Sequence, residues 1–174
     1  MLFTDKIETP IGTMILASSD QGLCFAEFVE DESVEKKIQS YVTKTGKQYS
    51  DSKNHINELV KTQLKSYFKK ELTNFNVPLS PYGTEFQKKV WQALSTIPFG
   101  ITKSYKIQAD QFNSPDAIRA IASANGKNPI AIIIPCHRVI GSDGTLTGYA
   151  GGLWRKKWLL EHEGALNTGQ VSLF

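Results

Sequence analysis

Between Leu72 and Gly83 the spacing of apolar residues loses its regularity. The stretch Thr73-Asn74-Phe75-Asn76-Val77-Pro78-Leu79-Ser80-Pro81-Tyr82 holds two prolines, which lack amide donors and resist helix. This break predicts a linker, with one domain at 1–78 and a second at 79–174. A chain of 174 residues with 40% hydrophobic content can give each of two small domains a core. The halves also differ in charge. Residues 1 to 80 carry 10 Lys and Arg against 11 Asp and Glu, whereas residues 81 to 174 carry 10 against 6. The second half is therefore the basic one, as a polyanion-binding half would be.

Periodicity assigns the elements. Ile11 to Ser19, the turn residues Asp20-Gln21-Gly22 and Leu23 to Val29 read as a β-hairpin. Val34, Ile38, Tyr41 and Val42 recur at helical spacing, as do Ile56, Leu59, Val60, Leu64, Tyr67 and Phe68, with Lys61, Lys65 and Lys69 as a solvated face. Past the break, Thr84 and Gln87 have capping-box spacing ahead of Phe86, Val90, Trp91 and Leu94. Ser104 to Phe112 forms a short helix. Ser114-Pro115-Asp116 then supplies a cap, a first-turn proline and an acid for a second helix ending near Asn125-Gly126. Two short helices joined by a tight turn make a helix-turn-helix. Its second helix is expected to bury Ile118, Ile121 and Ala122 and to present Asp116, Arg119, Ala120 and Ser123. Small residues on that face let a backbone approach nucleic acid, and one long guanidinium can enter a groove or replace an extruded base. The same small residues also suit helix packing. The fold class is thus α/β (α+β): a small sheet-and-helix domain, then a mainly helical one.

The longest apolar run, Ile130 to Ile134, is far short of the ~20 residues of a membrane span, and the N-terminus lacks a signal-peptide pattern. The expectation is a cytoplasmic protein without a membrane partner. Only Cys24 and Cys136 occur, with histidines scattered as His55, His137 and His162, so neither a disulfide framework nor a metal site is expected. Cys24 sits in a strand-like run and reads as a small core hydrophobe.

The chemistry-bearing group is Pro135-Cys136-His137-Arg138, after the buried strand expected at Ile130 to Ile134. A free thiol is only a few per cent thiolate near neutral pH, so a nucleophilic cysteine needs a base or a cationic neighbour. His137 and Arg138 can supply both. Successive residues of an extended chain point to opposite faces, so His137 is expected to reach Cys136 through a water. Leu153 to His162 has helical spacing through Trp154, Trp158 and Leu159, with Arg155, Lys156 and Lys157 on its exposed side. Glu163 stands at the end of that helix, where the macrodipole disfavours an acid, and fixing the His137 tautomer would account for it.

The run Ile134-Pro135-Cys136-His137-Arg138-Val139-Ile140 resembles the active-site signature of the O6-alkylguanine-DNA alkyltransferases, also called methylated-DNA–protein-cysteine methyltransferases. Ala117-Ile118-Arg119-Ala120, Asn128-Pro129, Tyr149-Ala150-Gly151-Gly152 and Leu159-Leu160-Glu161-His162-Glu163-Gly164 fall at the same family's spacing, so the likeness runs over residues 80 to 166. The resemblance implies a ribonuclease-H-like N-terminal domain and a helix-turn-helix that enters the minor groove of double-stranded DNA and flips the damaged nucleotide. Arg119 would be the finger filling the vacated stack, and Tyr105 would donate to N3 of the leaving guanine. Cys136 would accept the alkyl group, with His137 as water-mediated base, Glu163 as its orienter and Asn128 bracing the turn. Ala120 and Ser123, and then Lys106, Ser114 and Ser142, would contact DNA. Val139, Tyr149, Ala150 and Gly151 would line the substrate pocket, with Ala150 where some relatives carry a serine. The implied reaction is a single irreversible transfer from O6-alkylguanine, and O4-alkylthymine, to Cys136 by a monomer without cofactor. The alternatives are a lesion binder resembling the alkyltransferase-like proteins, which carry tryptophan at the acceptor position, a helix-turn-helix regulator, and a cysteine hydrolase using Cys136, His137 and Glu163.

Overall fold

Leu2–Thr9 forms β1 and Gly12–Ser19 forms β2, paired antiparallel with Ile7 opposite Met14. β3, Gly22–Phe28, pairs antiparallel on the other side of β2, with a register shift at Ala17/Ser18. The short β4, Tyr49–Ser50, runs parallel to β1 and completes a sheet of order β3-β2-β1-β4. The structure, a computed structural model, describes residues 1–113 and 117–166. The hairpin expected at residues 11–29 is therefore present as β2 and β3. β1 and β4 were not legible, since Thr4, Asp5, Lys6 and Glu8 give β1 a polar character and β4 has only two residues.

Six successive residues of β2, Met14 to Ser19, are buried, which requires cover on both faces of the sheet. On one face Ile15 and Ala17 pack with Val34, Ile38 and Tyr41 of α1, Ser33–Thr45. On the other, Ser18 donates to the Asn54 side chain at 2.9 Å, and Asn54 caps α2, His55–Phe68, by accepting from the amides of Ile56 and Asn57. Ile56, Val60, Leu64 and Tyr67 form the buried stripe of α2, while Leu59 is on the exposed side. Cys24 is fully buried, as a small core residue. The aperiodic stretch does not leave this unit until Tyr82, because Leu23 donates to the Pro78 carbonyl and accepts from the Ser80 amide, both at 2.8 Å. Gly22 permits that approach, since a Cβ there would stand 2.7 Å from the Pro78 oxygen.

Met1–Tyr82 and Gly83–Phe174 are the two compact units. In the second, Thr84 forms the expected capping box with Gln87 and starts α3, Glu85–Leu94. Ser104 caps α4, Tyr105–Asp110, and α5 spans Ile118–Gly126. Val90, Ala109, Ile121 and Ala124 make a common core of these three helices, and the Trp91 indole donates to the Ala124 carbonyl at 2.9 Å. Gln108 and Asn125 exchange two amide hydrogen bonds of 3.0 and 2.7 Å in the buried seam between α4 and α5. Ile118, expected to be buried, is 38% exposed at the first turn of α5. The expected cap Ser114-Pro115-Asp116 lies outside the described residues. β5, Lys103–Ser104, pairs parallel with β6, Val139–Ile140, and α6 spans Leu153–His162. Among the described residues no helix is long and apolar enough to cross a membrane.

Ile130 to Ile134 is not a strand. The segment folds into tight turns, with the Ile133 and Ile134 amides bonded to the carbonyls of Ala131 and Ile130 and Ile132 at φ +71°. That conformation is a true outlier for a β-branched residue. Periodicity could not separate a five-residue buried turn from a strand, because both are continuous apolar runs.

Candidate active site

Asn128 organises the turn. Its Oδ1 accepts from the Ile130 amide at 3.0 Å, and its Nδ2 donates to the Ile134 carbonyl at 2.8 Å and to Cys136 Sγ at 3.2 Å. Those bonds hold a segment whose backbone runs through the strained Ile132 and deliver Cys136 to the start of one 3-10 turn, Cys136–Arg138. Cys136 is half-buried, whereas His137 and Arg138 are buried. Cys136 thus stands on a helical turn instead of a strand end.

His137 Nε2 lies 2.7 Å from Glu163 Oε1. Arg138 grips the same carboxylate with two donors, Nε to Oε2 at 2.9 Å and Nη2 to Oε1 at 3.0 Å, and the Gly100 amide adds a bond to Oε2 at 3.3 Å. Burial pushes the Glu163 carboxyl up, but the bonds and charges of His137 and Arg138 outweigh it and hold the group far below the usual carboxylate range. An ionised carboxylate only accepts, so His137 must donate from Nε2 and keep its lone pair on Nδ1. Nδ1 is buried and without a hydrogen-bond partner among the described residues. Burial also lowers the His137 pKa, against the pull of Glu163 and with help from the Arg138 and Lys156 charges, so the ring is neutral at pH 7 and ready to take a proton.

The cation beside the thiol is not Arg138, which turns away to Glu163 and to the Ile97 carbonyl at 2.5 Å. It is Lys156. Burial raises the Cys136 thiol, while the Asn128 hydrogen bond and the Lys156 charge draw it back down. Lys156 and Arg155 were expected on the exposed side of α6, yet they are 0% and 5% exposed, and Trp154 is 53% exposed. Residues 155, 156, 159 and 160 make one stripe of the helix, and carbonyl partners make the charged members tolerable there. Lys156 Nζ donates to Thr147 O at 2.6 Å, and Arg155 Nη1 donates to Gly151 O at 2.8 Å. The two cations therefore pin the 147–151 loop at both ends. Burial pulls the Lys156 pKa down to about 8, with Cys136 opposing.

That loop carries the other expected pocket residues. Tyr105 OH donates to the carbonyls of Thr147 at 3.1 Å and Gly148 at 3.4 Å, and the Lys156 ammonium lies 5.7 Å from the Tyr105 ring centre. Gly148 sits at φ +59°, a conformation that favours glycine, and a Cβ there would make a tight 3.2 Å contact with the Tyr105 hydroxyl. Tyr149 OH is buried and unpartnered among the described residues, Ala150 is exposed, Gly151 half-buried and Val139 buried. Arg119, Ala120 and Ser123 share the exposed face of α5, Lys106 is exposed on α4, Ser142 is exposed in the turn that follows β6, and Ser114 lies outside the described residues. The sequence reading missed Lys156 and the Arg138 clamp on Glu163. A hint was available: cations at 155 and 156 share a helical stripe with Leu159 and Leu160.

The matching family models are the 6-O-methylguanine DNA methyltransferase ribonuclease-like domain over residues 2–81 and the 6-O-methylguanine DNA methyltransferase DNA binding domain over residues 85–165. The chain belongs to the 6-O-methylguanine DNA methyltransferase family. Curated relatives named methylated-DNA–protein-cysteine methyltransferase include one from Methanosarcina barkeri, 45% identical over 93% of this chain and 97% of that one. Another, from Mycobacterium leprae, is 45% identical over 100% and 99% of the two chains. The crystal structure of the Mycobacterium tuberculosis O6-methylguanine methyltransferase matches with a TM-score of 0.78 at 42% identity, covering 98% of this chain and 97% of that one. A crystal structure of Mycobacterium tuberculosis OGT in complex with DNA matches with a TM-score of 0.76 at 42% identity, covering 94% of this chain and 92% of that one. With the family comes the enzyme class, whose reaction is direct-reversal repair of alkylated DNA.

Proposed function

We propose that this chain repairs O6-alkylguanine in DNA by moving the alkyl group irreversibly onto its own Cys136. The observation that carries the assignment is the His137 ring: Glu163 fixes the proton on Nε2, and a bare, buried Nδ1 is left one residue from the thiol. Through a bridging water, Nδ1 takes the Cys136 proton. The thiolate attacks the alkyl carbon, the new S–C bond forms as the C–O6 bond breaks, and the guanine anion takes a proton at N3 from Tyr105. Glu163, already ionised, stabilises the imidazolium, and Lys156 stabilises the thiolate. Among the described residues none is placed to reverse a thioether, and in this reading each molecule acts once.

Arg119, Ala120 and Ser123 on the exposed face of α5, with Lys106 and Ser142, form the DNA contacts in this reading. α5 enters the minor groove and Arg119 occupies the gap left by the flipped nucleotide. Val139, Tyr149, Ala150 and Gly151 line the pocket, and O4-alkylthymine is a second substrate. The protein works as a cytoplasmic monomer. The test is intact-protein and peptide mass after incubation with a duplex carrying one O6-methylguanine, with Cys136→Ser as control. One added methyl on the Cys136 peptide, absent from the variant, is expected. Tight lesion binding with an unchanged mass would overturn the transferase assignment and leave a recognition module.

A further inference from the structure

The Met1–Tyr82 unit has a groove that the transfer reaction does not use. It has a volume of about 470 Å³ and runs between α1 and the end of the aperiodic stretch, lined by Phe25, Tyr41 and Tyr82 and by Ser33, Lys36, Lys37, Ser40 and Lys44. Positions 33, 36, 37, 40 and 44 follow one another along a single face of α1. Lys37 and Lys44 are seven residues apart, about 10 Å along the helix axis, so the row spans more than one phosphate of a strand. The rings form a connected series, with Phe25 edge-on to Tyr41 at 5.3 Å and Tyr41 edge-on to Tyr82 at 5.4 Å. Tyr82, the outermost, is 52% exposed and presents a ring to solvent. Lys47 adds a fourth cation, donating to Tyr41 OH at 3.1 Å.

The charges are available to a polyanion. Lys36 pairs with Glu32 at 3.3 Å, but both side chains are more than three-quarters exposed, and such a pair is worth little and yields readily. Lys37 reaches Glu27 at 2.5 Å with its own side chain half-exposed. Lys44 makes no ion pair among the described residues. A row of cations beside an exposed ring is the combination that tracks a sugar-phosphate backbone while stacking a base. Duplex DNA keeps its bases stacked inside and has no use for Tyr82.

We propose that this groove binds single-stranded DNA, with phosphates along Lys36, Lys37 and Lys44 and a base stacked on Tyr82. The site is independent of Cys136 and of the α5 face, so the enzyme holds an unpaired strand with one unit while the other reads the duplex.

The test is fluorescence anisotropy of the full chain with a labelled oligothymidylate about twelve nucleotides long. The slope of log affinity against log salt should be about −2, the value for three neutralised phosphates. Lys44→Glu combined with Tyr82→Ala should weaken binding about ten-fold or more, while Arg119→Ala leaves it within about two-fold. Methyl transfer from a short O6-methylguanine duplex and the thermal midpoint of the double variant should stay at the unaltered protein's values, which separates loss of the groove from loss of the fold. Oligothymidylate binding that survives the double variant, that disappears with Arg119→Ala, or that the unaltered protein never shows would overturn the proposal.

Discussion

Replacing Glu163 by glutamine isolates the contribution of one buried charge at nearly constant shape. The carboxylate meets donors on both oxygens: His137 Nε2 at 2.7 Å and Arg138 Nη2 at 3.0 Å on Oε1, Arg138 Nε at 2.9 Å and the Gly100 amide at 3.3 Å on Oε2. An amide has one oxygen, so its NH2 must face two of those donors whichever way it is turned. If it faces Arg138 Nε, a guanidinium only 5% exposed loses its counter-charge. If it faces His137, the imidazole must move its proton to Nδ1, and the lone pair intended for the thiol proton disappears. Breaking one side of a buried pair costs about 3 kcal/mol or more. For a chain of this size that corresponds to roughly 10 °C in Tm. Loss of the correct tautomer should slow transfer by about 10² to 10⁴. Differential scanning calorimetry reads the first number, and single-turnover methyl transfer from an O6-methylguanine duplex reads the second. A Glu163→Gln protein that melts within about 2 °C of the parent and transfers within about three-fold would refute both halves of the reasoning, the clamp and the tautomer.

Three further outcomes follow from the same geometry. Stability should decline as pH falls, since folding lowers the pKa of both groups: the unfolded chain protonates His137 from about 6.5 and Glu163 from about 4.3 downward, while the folded chain resists. Urea midpoints across that range should show the slope, and Glu163→Gln should remove its lower part. Lys156→Met should leave stability equal or higher, because a buried ammonium is exchanged for an apolar side chain. It should slow transfer near pH 7, because the thiol loses the charge that draws its pKa down, and abolish the bend that titration of Lys156 at about 8 imposes on the rate profile of the parent. A Lys156→Met profile that still bends there would assign the bend to another group. Asn128→Ala leaves the buried Ile130 amide unpaired, takes one of its two hydrogen bonds from the Ile134 carbonyl, which keeps the Cys136 amide at 2.9 Å, and removes the bond to Cys136 Sγ, so chemical denaturation should show a loss of about 2 kcal/mol alongside slower transfer. An unchanged midpoint would show that the turn holds itself.

What the sequence settled by itself were matters of local chemistry and spacing. The capping box at Thr84, the stripes of α1 and α2, the β2–β3 hairpin and the run around Cys136 are all properties of contiguous residues, and contiguous residues are where propensity and periodicity act. An acid at the wrong end of α6 announced that Glu163 had a partner elsewhere. Tertiary structure decided the rest. Whether Ile130 to Ile134 extends or turns depends on Asn128 reaching across it, and an apolar run carries no mark of that reach. Whether Lys156 faces water or the thiol depends on carbonyls of a loop that folds back over α6, and whether Arg138 serves Cys136 or Glu163 depends on a helix end 25 residues away. Each of these is a choice of partner for a buried polar group. Burial makes an unpaired polar group expensive, and only the assembled fold determines which partners are within reach.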